Sequence, residues 1–225
     1  MTQPAPPRKR AARGQGAVLH GEVLRAAMDL LSETGDEDAV SVRAVAQRVG
    51  VSVPSIYLHF ADKQALLDAV CGQVFEDLHV AMRAACADAT DPLDALRRQG
   101  VAYVQFAVGH PEQYRITMMR PPADSDKHGG DTVAGGAFGH LLEAVGLCVE
   151  AGVLEGQPLV LGLQLWATAH GLASLLIAKP GFPWPPLEDL VDSTICATGL
   201  GLAALTRLPL DLPLPEVVHR LDGLR

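Results

Sequence analysis

The sequence predicts an all-α fold, and three observations predict it. Hydrophobic residues fill 48% of the 225 positions but aromatics only 4%. The core must therefore be built mainly from Ala, Leu and Val, and Ala and Leu are the strongest helix formers. Runs that alternate Val, Ile, Thr and aromatic residues, as strands do, are almost absent. Apolar residues instead recur at helical spacing, as at Leu19, Val23, Leu24, Ala27, Leu30 and Leu31.

Residues 1–15 are proline-rich and basic with little that is apolar, the composition of a disordered arm. A first helix is expected from about Ala17 to Thr34, ended by Gly35 and an acidic loop, Asp36-Glu37-Asp38. Ser41 is a suitable N-cap for a short helix that runs to about Val49 and breaks at Gly50. Ser52 is placed to cap a second short helix reaching about His59. Asp62 then opens a long helix, Lys63 to about Ala87, with Leu66, Leu67, Val70, Val74, Leu78 and Met82 facing inward.

Asp91-Pro92 puts a cap and a first-turn proline before a helix reaching Gly109. His110-Pro111 starts a shorter piece, Glu112 to Met119. Residues 120–136 carry two prolines and four glycines and read as a surface loop. Helices are expected at 137–153, 158–178 and 187–206, the last two separated by Pro180 to Pro186. This gives an arm over 1–15, a small helical domain over 16–62 and a larger one over 63–225.

Composition excludes several function classes. The apolar stretch Leu159–Ile177 contains Gln164, Thr168, His170 and Ser174, so a buried bundle helix is expected there, with no membrane partner. Cys71, Cys86, Cys148 and Cys196 lack metal or redox spacing and read as small buried hydrophobes in a reducing cytoplasm. No two of the eight histidines sit at ligand spacing on one helix face, and no phosphate loop or nucleophile elbow appears. No catalytic residue, metal or cofactor is expected, and the chain does not read as an enzyme.

Net charge is -8, but it is unevenly placed. Residues 1–63 hold eight Lys/Arg against seven Asp/Glu, about +1, and the rest hold ten against nineteen, about -9. Arg8, Lys9, Arg10 and Arg13 all precede the first acid, Glu22. One end can therefore approach phosphates. The arm is either a solvated tail or a contact to a phosphate or the minor groove.

The stretch that carries chemistry is 41–63. Two helices of about two turns are joined by Val49-Gly50-Val51-Ser52. Ala46 is small where the helices would touch, Gly50 tolerates positive φ, and Ile56 can plug the gap between them. Val45, Val49, Val51 and Phe60 complete a miniature core. These are the requirements of a helix-turn-helix. With those side chains inward, Ser52, Val53, Pro54, Ser55, Tyr57 and His59 must face outward, toward a major groove. Ser55 suits a base edge or phosphate, Val53 and Pro54 a thymine methyl, and Tyr57 and His59 phosphates. Lys63 sits at a helix N-terminus, where a cation is disfavoured unless a phosphate is near. Ser41 and Arg43 are placed for another phosphate.

Val42 to Val70, "VRAVAQRVGVSVPSIYLHFADKQALLDAV", closely resembles the DNA-binding region of the TetR (tetracycline repressor) family. The shared features are Gly50-Val51-Ser52, Tyr57 to Phe60 as Tyr-x-His-Phe, and Lys63 followed by Leu66-Leu67. Val53 and Pro54 depart from the polar residues often found there. Phe106 to Met119 and Leu165 to Leu176 resemble a TetR subgroup with a Trp-x-x-x-His-Gly signature, matched here by Trp166, His170 and Gly171. The resemblance implies three N-terminal helices, a larger ligand-binding domain, homodimerisation through the last two long helices, and coupling of ligand to DNA through the helix from Lys63.

The residues themselves suit such a domain. Trp166 and His170 are four apart and share a helix face, and Gly171 could admit a close backbone. Tyr103, Phe106, His110, Tyr114, Met118 and Met119 are candidates to join them around an apolar pocket with polar tips. Plain core roles for Trp166 and His170 remain the alternative. The helices near 158–178 and 187–206 are apolar and rich in small residues, suited to a four-helix dimer interface. The function expected is a sequence-specific, double-stranded-operator-binding transcriptional regulator. It would act as a cytoplasmic homodimeric repressor released from a palindrome by a small apolar ligand. The alternative is a ligand-independent activator or nucleoid-type binder.

Overall fold

The computed structural model describes residues 16–119 and 137–205, with residues 213, 215–217 and 219 beyond them. The expected arm over 1–15 and loop over 120–136 lie outside the described residues. Among the described residues every regular element is a helix: α1 (Gly16–Thr34), α2 (Val42–Val49), α3 (Val53–Tyr57), α4 (Lys63–Cys86), α5 (Pro92–Gly109), α6 (Pro111–Tyr114), α7 (Ala137–Glu150), α8 (Pro158–Ala178) and α9 (Leu187–Leu205). A 3-10 turn at Glu37–Ala39 precedes α2, and a π-type turn, Arg115–Met119, extends α6.

The caps follow the sequence except at Ser52. Ser41 Oγ accepts from the Ala44 N–H (3.1 Å), Asp62 Oδ1 from Ala65 (2.8 Å) and Asp91 Oδ1 from Asp94 (2.9 Å). Ser52 occupies the cap position of α3 with extended backbone, but its hydroxyl pairs with Ser55 Oγ at 2.7 Å and caps nothing. α3 is shorter than expected: it ends at Tyr57, and the His59 and Phe60 N–H groups both return to the Ile56 carbonyl. α7 ends at Glu150 and not near 153. Gly152, at φ 69°, turns the chain so that Val153 and Leu154 donate to the Cys148 carbonyl, and Leu154 is buried under that turn.

The chain divides into two compact units, residues 16–77 with 110–119 and residues 78–109 with 137–205. The division falls within α4, not before Lys63. The first half of α4 is tied to the N-terminal unit through Lys63 to Asp38 and through the Cys71 thiol to the Ile116 carbonyl. In that unit α1 packs on α2 and α6, and α2 on α3. Arg48 on α2 grips Glu33 on α1 with both nitrogens (2.7 and 2.6 Å), and Gln113 donates to Ser32 Oγ.

In the second unit α5 packs against α7, α8 and α9. Its core joins Leu96, Ala144, Val145, Cys148, Leu154, Leu161 and Leu165. Cys148 is the fully buried cysteine, and burial pushes its thiol up to about 11, so it stays protonated. Cys71, Cys86 and Cys196 are only half-buried, where buried side chains were expected. α8 is long and apolar enough to cross a membrane by length and composition alone, but eight of its residues are buried in this unit. Close helix approach occurs at Gly100 and Gly162, where a Cβ would meet Ile195 at 2.8 Å and Leu142 at 2.7 Å. At Gly171, expected to play that part, a Cβ would meet nothing within 4 Å among the described residues.

Candidate nucleic-acid interface

The helix-turn-helix residues sit where the turn chemistry puts them. Gly50 adopts φ 77°, ψ 34°, and its N–H and that of Val51 both bond to the Ala46 carbonyl at 3.0 Å. A residue with a Cβ would be strained in that conformation. Val45, Ala46 and Ile56 are at most 1% exposed, and Phe60 is buried beside them, while Val49 and Val51 are half-buried. The pair of helices is thereby locked, with the far side of α3 left outside.

The outward residues are Ser52, Pro54 and Tyr57, all exposed, with Val53, Ser55 and His59 half-buried. Arg43 is exposed on α2. Four of the expected contact residues already have partners in the chain. The Ser41 oxygen is committed to its cap, which leaves its hydroxyl hydrogen to donate outward. The Ser52–Ser55 pair uses one hydroxyl hydrogen and leaves the other. Lys63 Nζ reaches Asp38 at 3.1 Å, so the cation at the start of α4 has a carboxylate and needs no phosphate to explain it.

Two side chains escaped the sequence reading. Leu58 is 84% exposed beside Tyr57, although a leucine inside a helical motif is ordinarily assigned inward. His20 on α1 stacks on Phe60 (centroids 4.7 Å) with its edge toward His59 (6.1 Å), which fixes the end of the motif to α1. No local signal links a histidine forty positions away to that ring.

The expected ligand residues divide between the units. Tyr103, Phe106, Trp166 and His170 belong to the second unit; His110, Tyr114 and Met118 belong to the first. Tyr114 is buried, His110 is exposed and Met118 is half-buried. Within the second unit, Trp166 Nε1–H donates to Tyr103 Oη (3.2 Å), which lies 3.3 Å from His170 Nδ1. Tyr103 is 4% exposed, and the rings of Phe138 and His170 flank Trp166 at 5.5 and 5.7 Å. Burial holds the His170 imidazole below its ordinary pKa, so Nδ1 can stay an acceptor for the tyrosine O–H. A cavity of about 250 Å³ between α5, α8 and α9 is lined by Leu93, Leu96, Leu165, Ile195 and Leu200, with Asp91, Asp94 and Arg97. A small space bounded by Tyr103 and Trp166 shares Leu96, Leu165 and Ile195 with it.

His140, stacked on His79 at 5.2 Å, is also lowered, mainly by burial and against the pull of Glu143. The unfolded chain takes up these protons more readily than the folded one. The stabilisation is therefore full above the ordinary histidine pKa and is lost as pH falls toward the depressed folded values. We expect a lower melting temperature at about pH 5.5 than at about pH 7.5, with a smaller drop in His170→Gln. A melting temperature that rises on acidification contradicts this.

Residues 23–70 match the family model described as bacterial regulatory proteins, tetR family, and residues 96–197 match the tetracyclin repressor-like C-terminal domain. The tetracycline repressor protein class A from transposon 1721 of Escherichia coli is 46% identical over 57 residues, 25% of this chain and 26% of that protein. The chain thus spans about a quarter of the length of the curated relatives it matches. A protein of unknown function from Rhodococcus sp. RHA1 superposes with a TM-score of 0.69 at 27% identity, covering 88% of this chain and 100% of the other. A TetR variant from Acinetobacter baumannii AYE, solved in complex with minocycline, superposes with a TM-score of 0.57 at 21% identity, covering 88% and 99%, a likeness of fold alone. With one family model on the locked helix pair and the other on the helical unit beyond it, the chain belongs to the TetR family of bacterial regulatory proteins.

Proposed function

We propose that the chain is a sequence-specific DNA-binding transcriptional regulator and not an enzyme. It binds a palindromic operator as a homodimer in the cytoplasm, and a small apolar ligand releases it. The observation that carries this is the division of labour on α3: Ile56 is 0% exposed while Tyr57, next to it, is 52% exposed. One side of the helix holds the motif together and the other is free for a major groove. Ser41, Arg43, Ser52, Val53, Pro54, Ser55, Tyr57, His59 and Lys63 are the proposed contacts, with Lys63 exchanging Asp38 for a phosphate.

The dimer supplies the second reading head, since one helix-turn-helix buries too little surface for specific affinity. Val160, Gln164, Ala167 and Leu175 are exposed along one side of α8, with half-buried Gly171 among them, and Ser193, Ala197 and Leu200 are exposed on α9. Such an apolar, small-residue surface suits isologous packing of two copies. The Tyr103–Trp166–His170 chain and the adjoining cavity offer an apolar ligand a few polar anchors. That the minocycline complex exists for a relative of the same fold supports a ligand-responsive regulator.

Selection of the full chain against a randomised duplex library tests the reading. Recovery of a palindrome with half-sites about one helical turn apart is expected. Tyr57→Ala should weaken binding to it roughly tenfold, the loss of one good contact. Uniform coating of any duplex, or unchanged affinity in Tyr57→Ala, would sink it.

A further inference from the structure

Positions 54, 57 and 58 stand at i, i+3 and i+4 and share one helical face. That face presents Pro54, Tyr57 and Leu58, opposite the buried Ile56. Leu58 is 84% exposed, and among the described residues no large hydrophobic side chain is more exposed. Packing among the described residues does not account for a leucine held this far into water.

The chemistry of the face is equally one-sided. Between Ser52 and His59 there is no Lys, Arg, Asn, Gln, Asp or Glu. Bidentate reading of guanine needs Arg or Lys, and of adenine Asn or Gln. This helix can do neither. What it offers is carbon surface and hydroxyls. The C5-methyl of thymine is the apolar group that the major-groove edge presents. Arg43 is exposed on α2 and Ser52 at the start of α3, with Ser55 half-buried, and a guanidinium and hydroxyls suit the phosphates around such a groove.

We propose that Leu58, with Pro54, is a specificity-determining residue that reads thymine methyl groups, so that each half-site is recognised more by its methyls than by base hydrogen bonds. This rests on the DNA-binding reading above. It differs from it in naming what is read and by which side chain.

Deoxyuridine removes the methyl and keeps every Watson–Crick hydrogen bond. The test takes the duplex recovered by selection and remakes it with uracil at each thymine in turn, with the full-length protein as binder. Burying one methyl is worth about a fourfold change in affinity, or about fifteenfold when the same contact occurs in both half-sites. At least one symmetric pair of uracils should therefore weaken binding about fifteenfold. In Leu58→Ala the thymine and uracil duplexes should bind within about twofold of each other at that position, a margin set by measurement scatter. Because Leu58 is exposed, this variant should melt as the parent does. Equal affinity of the parent protein for both duplexes overturns the methyl reading and leaves DNA binding standing. A persisting fifteenfold ratio in Leu58→Ala removes the assignment from Leu58. Failure to recover any duplex ends both readings.

Discussion

Ile56→Ala should unlock the reading head and abolish operator binding. The Ile56 side chain is fully buried, as are Val45 and Ala46 on α2, so it is the joint of the motif. An isoleucine truncated to alanine in a packed core costs about 2–5 kcal/mol. Part of that cost falls on a small unit, whose core of short helices has little to spare. Amide exchange over residues 42–60 should accelerate by roughly thirtyfold to a few thousandfold, the range that those energies imply. Exchange in α7, α8 and α9 should stay at parent rates. Unchanged protection over 42–60 together with parent-like DNA affinity would show that the two short helices do not depend on this joint, and the interface described above would lose its basis.

Leu175→Glu should split the dimer with no loss of chain stability. Leu175 is 54% exposed in the single chain, so a carboxylate there is solvated in the monomer. In a twofold interface the same change is buried twice, once from each copy. An unpaired charge taken out of water costs several kcal/mol. Sedimentation should shift from two chains to one, and operator affinity should fall by a factor on the order of 100 or more, because a single head cannot hold both half-sites. The melting of the isolated chain should be unchanged. A variant that still sediments as a dimer would place the interface elsewhere than on α8.

Much of the fold was legible because helix signals are local. Asp62 and Asp91 announced α4 and α5 by side-chain caps three residues from their targets, and both caps form. The inward stripe Leu66, Leu67, Val70, Val74, Leu78 and Met82 is buried as spaced. Ser52 shows the limit of that reasoning: its extended backbone at the α3 start is what a cap requires, but Ser55 competes for the hydroxyl and wins. The site was legible where a buried partner fixed the outward face, as Ile56 does for Tyr57. It was not legible where the decisive contact is distant in sequence. Lys63 to Asp38, His20 to Phe60, and Tyr103 to Trp166 and His170 span turns and helices that periodicity cannot join. The grouping of Tyr114 with Tyr103 followed their closeness in sequence, and the structure puts them in separate units.

The return of α6 to the N-terminal unit has a consequence for modular exchange. Tyr114 and Ile116 are buried with residues from the first third of the chain, and Gln113 reaches Ser32, although α5 intervenes in sequence. A head cut out after residue 77 would carry α1 without the α6 segment that packs on it. A graft of this head onto another regulator should therefore carry two stretches of chain, and a single crossover would expose the face of α1 that α6 covers. Heads built this way would diversify by point substitution on α3 more readily than by shuffling.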